Sequence, residues 1–86
     1  LAAVIRQRTA ELLVSSGKAE DAVRLLGKPI DPAALEVLGD AQVKLGKPAE
    51  AQASYRQALR TLEEGSPERQ VVELKLADVG GSTQAP

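Results

Sequence analysis

The sequence predicts an all-α fold, and three observations carry that prediction. Its 86 residues suffice for one small domain. The apolar content is dominated by 14 Ala and 12 Leu, against eight Val, two Ile and one aromatic residue, Tyr55. Ala and Leu lose least on entering a helix, whereas strands favour β-branched and aromatic side chains. Finally, glycine and proline cut the chain into five segments, each with apolar residues at helical spacing.

The segments can be justified in order. Nothing from Leu1 to Ser16 breaks a helix, and Gly17 follows as a C-terminal cap signal. Glu20 and Asp21 then sit where a new helix favours negative charge, and Ala19, Ala22, Val23 and Leu26 recur on one face before Gly27. Asp31-Pro32 starts the third helix with a capping carboxylate and a proline preset for the first helical position. Its stripe is Leu35, Leu38, Gln42 and Leu45, ending at Gly46. Pro48 opens the fourth, with Ala51, Tyr55, Ala58, Leu59 and Leu62 as its stripe. Gly65-Ser66-Pro67 repeats the stop, cap and start, and Val71, Val72, Leu74, Leu76 and Val79 carry the fifth to Gly80. Residues 80–86, Gly-Gly-Ser-Thr-Gln-Ala-Pro, are expected to form a disordered tail. Short connections make sequential helices antiparallel neighbours.

Composition narrows the function. With no Cys and no His, thiolate nucleophiles, zinc-thiolate sites and the commonest general base are missing. Hydroxyl groups exist, but no motif sets a base beside one, so we expect no enzyme, no catalytic residue, no cofactor and no metal. Eleven basic against twelve acidic residues, with one aromatic ring, argue against nucleic acid. No run approaches the roughly 20 apolar residues of a membrane span. Leu1 in place of an initiating Met leads us to expect a fragment or processed form, with any membrane anchor upstream.

Charged rows add two candidates. Glu36, Asp40 and Lys44 follow at i, i+4, i+8. Without a third ligand or base they read as a solvated face, with a weak Asp40–Lys44 pair. Arg56, Arg60 and Glu64 form a second row, read as a polar outer face with Arg60 and Glu64 paired.

The chain also repeats itself. Gly17 and Ala22 have the spacing of Gly46 and Ala51, and the two pairs lie 29 residues apart. The second unit, about 32–65, reads L-x2-LG-x6-G-x4-A-x3-Y-x2-A through Leu35, Leu38, Gly39, Gly46, Ala51, Tyr55 and Ala58. It resembles the tetratricopeptide repeat, a helix–turn–helix unit of about 34 residues. Gln42 departs from the usual Tyr of that pattern, and Glu63 stands where a helix-ending Pro is common. The first unit, about 3–31, is degenerate but keeps Ala10, Gly17, Ala22 and Leu26. The mid-helix Gly39 signals close helix approach, with Tyr55 filling the space beside it.

The resemblance implies an α-solenoid fragment spanning 1–79, with two hairpins and a capping helix at about 67–79. It also implies an inner, concave surface carrying Glu11, Glu36, Asp40, Val43 and Lys44, beside Val4, Gln7, Val14, Ser15 and Ala33. Relatives that clamp acidic tails use Lys and Asn at such positions. That set is missing here, so the implied ligand is neutral or basic. Ile5, Leu12 and Leu13 are expected to face an earlier repeat or a second copy, a route to self-association through the first helix.

A closer resemblance covers nearly the whole chain. RQRTAELLVSSGKAEDAVRLL, LGDAQVKLGKPAEAQASYRQAL and SPERQVVELKLADV are similar to the C-terminal end of the YfgM-type ancillary subunits of the SecYEG translocon. That family implies a periplasmic, inner-membrane-anchored interaction domain handing secreted chains to periplasmic chaperones, alongside the prolyl-isomerase-like PpiD. Translocon subunits, chaperones or client chains would then be its partners, with membrane contact only through a segment absent from this chain. The alternative is a scaffolding repeat segment of another bacterial cell-envelope or cytoplasmic assembly.

Overall fold

The computed structural model describes residues 1–81. Five helices follow one another among them: α1 (Ala2–Ser15), α2 (Ala19–Leu26), α3 (Pro32–Lys44), α4 (Pro48–Leu59) and α5 (Pro67–Asp78). The fold is all-α, as the composition requires. Both expected N-caps form: Asp31 Oδ2 accepts from the Ala34 amide at 3.1 Å, and Ser66 Oγ accepts from the Arg69 amide at 3.1 Å.

The odd-numbered helices end in one way. The Lys18 amide donates to Leu13 O, Lys47 to Gln42 O and Gly81 to Leu76 O, each spanning a glycine at positive φ (Gly17, Gly46, Gly80). Only a residue without Cβ adopts that turn cheaply, so each glycine stops its helix and satisfies two end carbonyls. Gly80 and Gly81 thus close α5, and the rest of the expected tail lies outside the described residues.

Two cores divide the molecule, with α3 as their shared wall. Ala10, Ala19, Ala22, Leu26, Val37, Leu38 and Ala41 make the first; Leu35, Ala51, Tyr55, Ala58, Leu59, Val72 and Leu76 make the second. Burial of Val37 and Ala41 was not expected from the single stripe on this helix. It arises because α3 has neighbours on two sides, α1–α2 on one and α4 on the other.

Three expectations are corrected. The fourth helix stops at Leu59 rather than running on to Leu62, because Arg69 Nη1 from α5 takes the carbonyls of Leu59 (2.7 Å) and Leu62 (3.1 Å). Glu64 therefore falls in a turn, and the Arg60–Glu64 pair does not form. Leu13 is not on the outer face: one turn after the buried Ala10, it packs into the first core, while Ile5 and Leu12 stay exposed. On α5 only Val72 and Leu76 are buried, with Val79 packed against them. Val71 and Leu74 face solvent, since the helix is covered on one side alone.

Candidate functional site

The concave side is built by α1, α3 and α5. Lys75 projects from α5 across α3, donating from Nζ to Glu36 Oε2 at 2.6 Å and to Asp40 Oδ2 at 3.0 Å. The other Asp40 oxygen, Oδ1, accepts from the Tyr55 hydroxyl at 2.6 Å. Asp40 therefore joins three helices: its own α3, α4 through Tyr55 and α5 through Lys75.

This corrects the reading of the charged row. Glu36 and Asp40 are half-buried ion-pair partners, not solvated carboxylates, and Asp40 reaches Lys75 rather than Lys44. Charge-assisted bonds of this length are the stronger kind, so removing either partner leaves a costly orphan. Burial alone would pull the Lys75 ammonium down, but its hydrogen bonds to Glu36 and Asp40 outweigh that and hold its pKa above the ordinary value. Burial, reinforced by the bond to Asp40, pushes the Tyr55 phenol far above its usual range.

The tyrosine sits where the repeat pattern puts it. Its ring covers Gly39, where an added Cβ would stand 2.7 Å from Tyr55 Cδ1 and 2.8 Å from Cζ. Gln42 replaces a tyrosine of the pattern with a polar alternative: its Oε1 accepts from the buried Ser54 hydroxyl at 2.6 Å. Arg69 and Gln52, which lock α4 and α5 reciprocally, carry no recognisable pattern in the sequence. Arg69 caps the end of α4, and Gln52 Nε2 donates to Val79 O at the end of α5 at 2.7 Å. Such bonds join residues far apart in sequence and leave no periodic trace.

Beside the clamp lies a cleft of about 320 Å³, open to solvent. Val14, Val43, Val79 and the Tyr55 ring line it, Asp40 and Lys75 form one wall, and Lys44 and Asp78 stand at its edge. Of the five expected groove residues, Asp40, Val43 and Lys44 meet here, and Glu36 adjoins through Lys75. Glu11 does not line the cleft; it is exposed and accepts from Gln7 on its own helix. Among the described residues no group of three or more carboxylates is placed to hold a metal. A largely apolar cleft with unlike charges at its edge suits a peptide segment.

The architecture is thus a short α-solenoid of antiparallel hairpins, closed by a single helix and presenting one concave face. The chain belongs to the tetratricopeptide repeat-like family: the family profile described as "Tetratricopeptide repeat-like domain" matches residues 1–81. Domains of this class are in general non-catalytic modules that bind other proteins. No curated protein and no solved structure matches the chain.

Proposed function

We propose that the concave cleft holds an extended, neutral or basic segment of a partner protein. The observation that carries this is the exposed Val43 beside Val14 and Val79, opposite a wall whose charges are already paired. Aliphatic groups would enter the cleft, while Lys44, Asp78 and the nearby Glu11 set charge preference at its edge. Glu36 and Asp40 act at one remove, fixing the wall through Lys75.

The setting we propose follows the closer sequence resemblance. The domain serves as the periplasmic end of an inner-membrane SecYEG accessory subunit, passing emerging chains to periplasmic chaperones. Support comes from the quoted segments and from a repeat-family match that spans the same residues. The test is in-cell crosslinking from position 78 at the cleft edge, with Val43→Glu as the variant that blocks the cleft. Translocon or chaperone adducts that vanish with Val43→Glu but persist with Gln57→Glu, exposed on the outer helix, are expected. Adducts with a different assembly would assign the domain to another scaffold. Capture lost with Gln57→Glu and kept with Val43→Glu would move the binding face to the convex side.

A further inference from the structure

The clamp that fixes the concave wall has one donor left over. A lysine ammonium carries three N–H groups. Lys75 Nζ spends one on Glu36 Oε2 at 2.6 Å and one on Asp40 Oδ2 at 3.0 Å. Among the described residues no acceptor takes the third. The Lys75 side chain is 33% exposed and borders the cleft of Val14, Val43 and Val79, so this N–H is open to whatever enters there.

The other polar groups of this wall are spent. Asp40 uses one oxygen on Tyr55 and the other on Lys75, and the Tyr55 hydroxyl gives its only proton to Asp40. A ligand therefore meets one charged donor amid aliphatic side chains. Two carboxylates already orient that ammonium, so it loses little freedom when a third acceptor arrives. Burial pulls its pKa down, but the bonds to Glu36 and Asp40 outweigh that, and the group stays charged.

Charge decides which acceptor fits. One ammonium against two carboxylates leaves the clamp with one net negative charge. At the cleft edge Lys44 and Asp78 are opposite in sign, so together they do not offset it. A carboxylate brought to Lys75 would face Glu36 and Asp40 at close range, and like charges repel. A neutral carbonyl accepts the same N–H without that repulsion. Peptide backbone offers such a carbonyl at every residue, next to the side chain that would lie on the valines. The donor and the apolar lining thus suit one uncharged residue of an extended segment.

We propose that Lys75 donates its third N–H to a main-chain carbonyl of the bound segment, and that the cleft selects an uncharged aliphatic residue at that point. The inference rests on the peptide-binding reading of the cleft and names the polar contact which that reading leaves open. Lys75 is then a binding residue as well as part of the wall. Glu36 and Asp40 position it, and the partner's backbone completes its hydrogen bonding.

Titration of the isotope-labelled protein with the peptide acetyl-Gly-Ala-Leu-Ala-Gly-amide, followed by NMR, tests it. Methyl signals of Val14, Val43 and Val79 report entry into the cleft, and the Lys75 ammonium signal reports the new bond. Both are expected to shift with one common affinity. Replacing the peptide carbonyls one at a time by thiocarbonyls, which are poorer acceptors, should weaken binding about tenfold at one position and little at the others. Aspartate in place of the alanine after leucine should weaken it about threefold relative to asparagine at the same place. Lys75→Met, with its fold checked by circular dichroism, should bind the whole thiocarbonyl series equally. The wild-type series decides the matter whether or not that variant folds. Valine shifts with an unmoved Lys75 signal and a flat thiocarbonyl series overturn this contact and leave the cleft reading in place. Equal affinity for the aspartate and asparagine peptides overturns the selection for an uncharged segment. Signals that do not move at all overturn the cleft reading, and this inference with it.

Discussion

The two hairpins share a plan and differ in how tightly they close. In the first, Ala10 faces an α2 of eight residues through Ala22 and Leu26. In the second, Gly39 faces an α4 of twelve residues, and Tyr55 stands where the first has Leu26. Removing one methyl from α3 makes room for a ring that is 2% exposed and whose hydroxyl reaches Asp40. Glu11, the counterpart of Asp40, has only Gln7 for a side-chain partner and remains exposed. A small residue opposite a large one therefore does more than fill volume. It lets a polar group through the core to anchor the concave face.

The largest test of that contrast is truncation of the two counterparts. Tyr55→Ala should cost about 3–5 kcal/mol and Leu26→Ala about 2–3 kcal/mol, read from urea midpoints. Equal losses would mean that the second hairpin is no more tightly held than the first. Next comes the clamp. The double change Glu36→Lys, Asp40→Lys sets two cations against Lys75 and removes the acceptor of the Tyr55 hydroxyl, for a loss of about 2–4 kcal/mol. Glu11→Lys should stay within about 0.5 kcal/mol of wild type, as exposed substitutions usually do.

Smaller still is Gly39→Ala. Alanine is the better helix former by about 1 kcal/mol, yet the new methyl collides with the buried ring, so a net loss of about 1–2 kcal/mol is expected. A gain in melting temperature would show that Tyr55 moves aside freely. The last prediction concerns pH. Tyr55 and Lys75 both hold their protons more tightly when folded than the ordinary values of 10.0 and 10.5. Below those values both contributions are fully present. As pH rises past about 10 the unfolded chain gives up protons that the folded chain keeps, so stability falls. Thermal melts should therefore lose stability above about pH 10, and Tyr55→Phe with Lys75→Met should flatten that slope.

Much of this architecture is written locally. Asp31-Pro32 and Ser66-Pro67 start helices, and Gly17 and Gly46 stop them, because each device works within four or five residues. The Gly39–Tyr55 contact was legible too, since the repeat spacing ties a small residue on one helix to a large one on the next. The candidate groove was legible in membership for Asp40, Val43 and Lys44. The state of its carboxylates was not legible: packing makes Glu36 and Asp40 half-buried partners of Lys75.

What the sequence determined by itself is the helical class, the helix starts, the glycine stops and the pairing of helices into hairpins. Only the tertiary structure decided that Lys75 reaches Glu36 and Asp40, 39 and 35 residues away, and that Arg69 ends α4 at Leu59. It alone decided that α3 is buried on two sides while Val71 and Leu74 stay outside. The physical reason is range. Caps and periodicity depend on near neighbours along the chain, whereas an ion pair across helices depends on where packing brings two distant side chains, and no short-range pattern encodes that distance.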